Sequence, residues 1–315
     1  MKIGLMLPIG DPGLLRGPDG WAPIRDMALA AEASGLDSVW CADHLLVRHH
    51  GLRRDEGPHE SWTTLTAVAA VTERVELGPL VLCVPFRNPA LTAKMATTLE
   101  TVSGGRLILG LGCGWQRHEF DAFGYEFDHR VSQFAEAIGI IRPLLRGDSV
   151  TLHGEWQHAH DARILPPGPR PGGPPILIAG RGPRMLGLVA RYADAWNASW
   201  YARPEGAHEL RERIERLHAA LDAVGRPRGS IELTAGVFVT TGQGGDDRPR
   251  EAIDGGIDEI AHSLAGYAAL GISHLVAHVW PRTPEAVRRL GEAAAVARAL
   301  LADVGWTQPV LVSSR

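Results

Sequence analysis

The chain is poor in cysteine, has no long apolar run and is almost balanced in charge. Three cysteines, Cys41, Cys83 and Cys113, are spread over 315 residues with no paired spacing. That excludes a disulfide framework and points to a reducing compartment, hence the cytoplasm. No CxxC or HExxH motif accompanies them. A metal site therefore has no signature, and small buried thiols are expected instead. The net charge of -4 gives no electrostatic case for nucleic acid. No apolar stretch reaches membrane-span length, so no membrane partner is expected. The opening MKIGLMLPIG is too short and too broken by glycine and proline to read as a secretory leader. No GxSxG marks a serine nucleophile.

What is present is a rhythm. KIGLMLP reads as a buried strand, and residues 20–34 follow with apolar residues at helical spacing and Gly35 as a stop. LDSVWCADH, VELGPLVLCVP, RLILGLGCG, PILIAG, DAWNASW, IELTAGVFVT and HLVAHVW read as further strands. Helices are expected over 63–71, 88–99, 130–145, 182–193, 204–224, 256–270 and 284–301. Several strands are continuous apolar runs, as when protein covers both faces. Eight strand–helix alternations in one chain match an α/β fold of the (β/α)8 TIM-barrel type, rather than a doubly wound sheet. Residues 149–173 hold short β-prone pieces and PPGPRPGGPP. These read as an excursion between strands 4 and 5, leaving residues 1–315 as one domain.

In such barrels the chemistry sits at the C-terminal ends of the strands. The rule selects Asp43 and His44 after strand 2, Leu80, Val81 and Cys83 near the end of strand 3, and Gly112 to Gln116 after strand 4. It also selects Gly180, Arg181 and Gly182 after strand 5, Asn197, Ser199 and Trp200 after strand 6, and His278 and Trp280 ending strand 8. A histidine at a strand exit can carry a proton near neutral pH or bond a cofactor ring. The competing reading of Asp43-His44 is a local cap. Glu60 and Glu119 are candidate acid/base groups, though such carboxylates usually lie on the surface. Gly180–Arg184 lets backbone N–H groups approach an anion at a helix N-terminus, with Arg181 adding charge. The loop 45–60, with Arg48, His49, His50, Arg53, Arg54 and His59, reads either as a lid or anion-binding edge or as a solvated connection.

The order of elements and the stretches GLDSVWCADHLL, FRNPALTAKMATTLETVSGGRLILGLGCGW, EFDAFGYEF and ILIAGRGPRMLGLVARYADAWNASW closely resemble the luciferase-like flavin- and deazaflavin-dependent oxidoreductases. The resemblance covers nearly the whole chain and is most specific from Glu73 to Trp115. It implies a (β/α)8 barrel and a ring cofactor in the barrel mouth, with its phosphate tail at the strand 5 loop around Gly180, Arg181 and Gly182. The Asp-His pair is most similar to the branch using coenzyme F420. That implies a proton role for His44, with Glu60 in reserve, and a cofactor contact for Asp43. The same branch implies a bulge at the end of strand 3 with a non-proline cis peptide at Leu80-Val81.

Some sugar-phosphate dehydrogenases of the family carry a glutamate where this chain has Trp115. The departure disfavours a sugar phosphate and suits a hydrophobic or planar substrate, with Trp115 and Trp200 as its walls. Hydride transfer between F420 and a small organic substrate is the expected reaction. The alternatives are an FMN-dependent monooxygenase and a non-catalytic barrel that binds a cofactor or metabolite. The resemblance also implies a homodimer. Gly110, Gly112 and Gly114 do not form a dinucleotide GxGxxG, because Trp115 occupies the place of its last glycine. Gly112 and Gly114 are instead expected to thin the strand exit so that a flat ring or substrate can approach.

Overall fold

The computed structural model describes residues 1–11, 14, 20–47, 57–242 and 251–308. Its strands are β1 (Lys2–Met6), β2 (Ser38–Cys41), β3 (Glu76–Pro79), β4 (Leu82–Cys83), β5 (Leu109–Gly112), β6 (Val150–His153), β7 (His158–Ala162), β8 (Ile176–Ala179), β9 (Ala195–Tyr201), β10 (Glu232–Thr240), β11 (Ile253–Asp254) and β12 (His274–Trp280). One parallel sheet runs β3-β2-β1-β12-β10-β9-β8-β5-β4, with β11 beside β10. Its two ends, β3 and β4, are consecutive pieces of one strand parted at Leu80-Val81. Leu77 also bridges to Leu107, next to β5. The path thus returns on itself, giving the eight-stranded barrel that the alternation predicts. The expected excursion is an antiparallel hairpin, β6–β7, between β5 and β8.

Nine helices are described: α1 (Ala22–Ala33), α2 (Ser61–Val71), α3 (Pro89–Val102), α4 (Arg117–Phe123), α5 (Arg130–Leu145), α6 (Pro183–Tyr192), α7 (His208–Ala223), α8 (Ile257–Gly266) and α9 (Pro284–Asp303). Their starts follow local chemistry. The Asn88 side chain accepts from the Leu91 N–H with Pro89 at the first helical position, and Thr283 accepts from the Ala286 N–H ahead of α9. Two expected helices end differently. Residues 204–206 form a separate 3-10 turn before α7, and Tyr267–Leu270 continues α8 as a 3-10 turn. The short α4 had no clear periodicity and is not anticipated by sequence.

The apolar runs fill two layers. Leu5, Val39, Leu77, Leu109, Ile178, Val237 and Leu275 belong to the core shared with the helices. Their neighbours Met6, Trp40, Ile108, Leu177, Ala195 and Val276 form a second cluster inside the ring. Alternating side chains thus bury both faces of each strand. Each large side chain so buried contributes about 1.5–3 kcal/mol. At the N-terminal ends of the strands, the Trp40 indole N–H donates to Ser38 Oγ, which lies 2.7 Å from His274 Nε2. A Cβ on Gly4 would sit 2.0 Å from that hydroxyl, so only glycine leaves room for the cluster. No helix among the described residues is long and apolar enough to cross a membrane.

Candidate active site

The C-terminal ends of β2, β3/β4 and β5 converge on one cluster. Asp43 is 5% exposed. Its carboxylate accepts from the Cys83 N–H at 2.7 Å and from Arg87 through Nη1 at 2.7 Å and Nη2 at 2.9 Å. The Leu80 N–H donates to the Cys41 carbonyl at 2.8 Å. The split strand is therefore tied to β2 on both sides of the break. The Leu80-Val81 peptide between those ties is cis and precedes no proline, at the bond that the resemblance singles out.

Arg87 also donates to Glu60 at 2.8 Å. Glu60 caps α2, accepting the N–H groups of Trp62 and Thr63. Partial burial pushes its carboxyl up, but the Thr63 contacts, Arg87 and the Trp62 amide outweigh this and hold it below the usual carboxylate range. Both Glu60 oxygens are thus engaged with Arg87 and the helix start, and no hydrogen bond joins Glu60 to His44.

His44 has a different partner. Its Nδ1 lies 3.0 Å from Oε1 and 3.3 Å from Oε2 of Glu119, on α4. Glu119 is 1% exposed and also accepts the Leu45 N–H at 2.9 Å. This candidate acid/base carboxylate is therefore not on the surface, where most such groups lie: α4, a helix that the sequence pattern does not mark, turns it inward. The adjacent Phe120 is fully buried, which sets the helix face. His44 Nε2 has no hydrogen-bond partner among the described residues. The Trp115 ring meets the His44 ring edge-on, with centroids 5.8 Å apart and planes at 89°. Trp115 itself is 67% exposed.

The glycines after β5 serve the protein rather than an open gap. A Cβ on Gly112 would lie 2.5 Å from Val81 Cγ2, and one on Gly110 2.0 Å from the Pro79 carbonyl oxygen. Gly114 has φ +74, and its Cβ would meet Phe120 at 2.6 Å and Cys83 Sγ at 2.7 Å. The expected thinning for a ring is corrected here, because Val81, Phe120 and Cys83 fill that space. The Cys83 and Cys41 thiols are buried and pushed up by desolvation, which makes them unreactive. Among the described residues, no group of three or more His, Cys, Asp or Glu side chains is arranged to hold a metal ion.

Two more segments of the expected site frame the mouth. Leu80, Val81 and Trp200 are half-buried and rest on the inner apolar cluster. Trp200 stacks on Phe238 and meets His278 at a tilt, and both of these rings pack beside Trp280. Burial lowers His278 to about 3, with Arg282 adding to the shift, so the ring is neutral. The Gly180 carbonyl accepts from the buried Trp196 indole at 2.9 Å. A Cβ on Gly180 would lie 2.6 Å from Met185 Cβ. Gly182 begins α6 with no side-chain cap and with Pro183 at the first turn, and Arg181 is exposed beside it. The basic residues of the loop after Val47, numbers 48–56, lie outside the described residues.

An apolar floor at Leu80, Val81 and Trp200, together with an uncapped helix start on the neighbouring rim, fits a flat ring with an anionic tail. The family model described as luciferase-like monooxygenase matches residues 1–305. A phthiodiolone/phenolphthiodiolone dimycocerosates ketoreductase of Mycobacterium tuberculosis is 32% identical over 309 residues, covering 90% of this chain and 80% of the relative. An F420-dependent glucose-6-phosphate dehydrogenase of Amycolatopsis mediterranei is 39% identical over 175 residues, covering 53% of this chain and 49% of that protein. Among solved structures, an F420-dependent secondary alcohol dehydrogenase in complex with an F420-acetone adduct superposes with a TM-score of 0.77 at 18% identity. That match covers 94% of this chain and 99% of the other, and it bears on the fold alone. The chain belongs to the luciferase-like monooxygenase family and is an oxidoreductase of it.

Proposed function

We propose that the protein uses coenzyme F420 to transfer a hydride to or from a small apolar ketone or secondary alcohol. The observation that carries this reading is the His44–Glu119 pair, on the same strand-end rim as half-buried Leu80 and Val81. A ketoreductase relative and the F420-dependent dehydrogenase relative support it. The extent of the family match also supports one barrel domain over residues 1–315.

The chemistry supplied by bound F420 is hydride exchange at the ring's C5. The chain does the rest. Leu80, Val81 and Trp200 seat the ring, and Gly112 lets Val81 approach. The α6 N-terminus, with Gly180, Arg181 and Gly182, holds the phosphate of the tail through backbone N–H groups. Asp43 orders the end of strand 3 through Cys83 and Arg87. In reduction the doubly protonated His44 ring gives its Nε2 proton to the substrate oxygen, and in oxidation the neutral ring takes it back at Nε2. Glu60 acts through Arg87 as a positioning residue. Trp115 presents an apolar wall and one N–H donor, which suits an unphosphorylated substrate.

Cofactor titration tests the reading. Addition of F420 should change its absorbance and fluorescence saturably, and a simple ketone should then oxidise the reduced form. Tight binding of FMN with none of F420 would overturn the choice in favour of the family's monooxygenase chemistry.

A further inference from the structure

An imidazole at a strand exit has two nitrogens that can face a substrate. Which one does so, and in which protonation state, is set by the hydrogen bond made by the other. In this chain that bond joins His44 Nδ1 and Glu119. An ionised carboxylate only accepts, so Nδ1 keeps its proton in both states of the ring, and Nε2 is the nitrogen that gains and loses one; in the neutral ring it presents its lone pair. The carboxylate is itself held, because the Leu45 amide donates to its Oε2 and it is almost fully buried. The Trp115 ring packs at right angles to the imidazole.

What places Glu119 is the residue after it. Phe120 is fully buried against Cys83 and Phe86, and its ring lies 4.7 Å from that of Phe86 and 5.1 Å from that of Phe127. It docks α4 onto the end of β4. The docking space exists because residue 114 has no side chain: a Cβ there would lie 2.6 Å from Phe120 Cζ. Gly114 thus admits Phe120, Phe120 seats α4, and α4 sets Glu119 against His44.

We propose that Glu119 is a positioning residue that fixes the His44 ring with its proton on Nδ1 and Nε2 toward the barrel mouth, and that the Gly114–Phe120 contact holds it there. The inference deepens the reading of His44 as the proton carrier and rests on it. A purely structural role, in which Glu119 merely staples the Leu45 amide, would move stability but not the tautomer.

The test has two arms. In cofactor-free protein with 15N-labelled histidine, at a pH where the imidazole is neutral, long-range 1H–15N spectra should show His44 as the Nδ1–H tautomer. The signal is assigned by its loss in His44→Gln. An Nε2–H tautomer overturns the proposal, whatever cofactor the protein uses. In the second arm, Glu119→Gln should lower kcat for ketone reduction by about tenfold or more, with KM and the F420 titration changed less than about threefold. Its spectrum should also lose the single His44 tautomer. Wild-type kcat together with the wild-type tautomer in Glu119→Gln and Glu119→Leu would overturn it. Absence of F420 binding by the wild type would sink the cofactor reading alone and leave the spectroscopic arm to decide this one.

Discussion

Asp43 and Arg87 form a two-point ion pair, at 2.7 and 2.9 Å, that locks the end of strand 3 to the end of strand 2. Both side chains are mostly out of solvent. The pair also brings the Cys83 amide onto the same carboxylate. Its place directly before His44 makes the backbone that carries the histidine rigid.

Removing Arg87 leaves the Asp43 charge buried with only an amide to meet it. Arg87→Met should therefore destabilise the fold by about 3–5 kcal/mol, read from urea unfolding. Glu60→Ala removes a helix cap and the exposed end of the same network. It should cost only about 1 kcal/mol. Equal losses in the two variants would contradict the division drawn between them.

His44→Ala should reduce turnover by about 10²–10⁴-fold while F420 affinity stays within about tenfold. Steady-state kinetics at saturating ketone checks the first part and fluorescence titration the second. Unchanged turnover would remove His44 from the reaction.

The acid side of stability has a named contributor. Burial, with Lys2 and the N-terminus adding to it, lowers His274 from 6.5 to about 3. The unfolded chain binds this proton below pH 6.5 and the folded chain does not. Stability from this group is therefore complete above 6.5 and is lost as pH falls toward 3. The slope is at most about 1.4 kcal/mol per pH unit. Denaturant midpoints measured across that window should fall, and His274→Gln should flatten the decline. A decline of unchanged steepness in the variant would refute the assignment.

Gly114→Ala must adopt φ +74 and push aside both Phe120 and Cys83. The expected cost is about 2–4 kcal/mol, the sum of left-handed strain and overpacking. Gly124, with φ +77 and nothing near its Cβ position, is the control. Gly124→Ala should cost about 1–2 kcal/mol. A comparable loss in both would show that the Phe120 contact is slack.

Trp115→Ala should leave stability within about 0.5 kcal/mol, since the side chain is mostly in solvent. It should raise KM for apolar ketones without changing F420 affinity. Improved turnover of a sugar phosphate would be consistent with the departure at this position; an unchanged KM for every ketone tested would remove Trp115 from the substrate wall.

Much of this was legible from the order of residues. Apolar runs alternating with helical spacing mark the eight strand–helix units, because burial on two faces of a strand and one face of a helix writes itself into local pattern. The strand-exit rule then singles out His44, Asp43 and the Gly180–Gly182 turn, and the family resemblance points to the bond at Leu80-Val81. Partners were not legible. Glu119 stands 75 residues from His44, on a seven-residue helix too short to show a period. Glu60 looked available for proton transfer because nothing local reveals that Arg87, 27 residues on, occupies it.

By itself the sequence determined the barrel, the family and the rim on which chemistry can occur, since these depend on periodicity and on motifs within single elements. Only the tertiary structure decided which carboxylate meets the histidine and which one is bound to an arginine. It also decided that the glycines after β5 make room for Val81 and Phe120. Those outcomes depend on distances of a few ångströms between segments far apart in the chain, and hydrogen bonds and van der Waals overlap change sharply over that range.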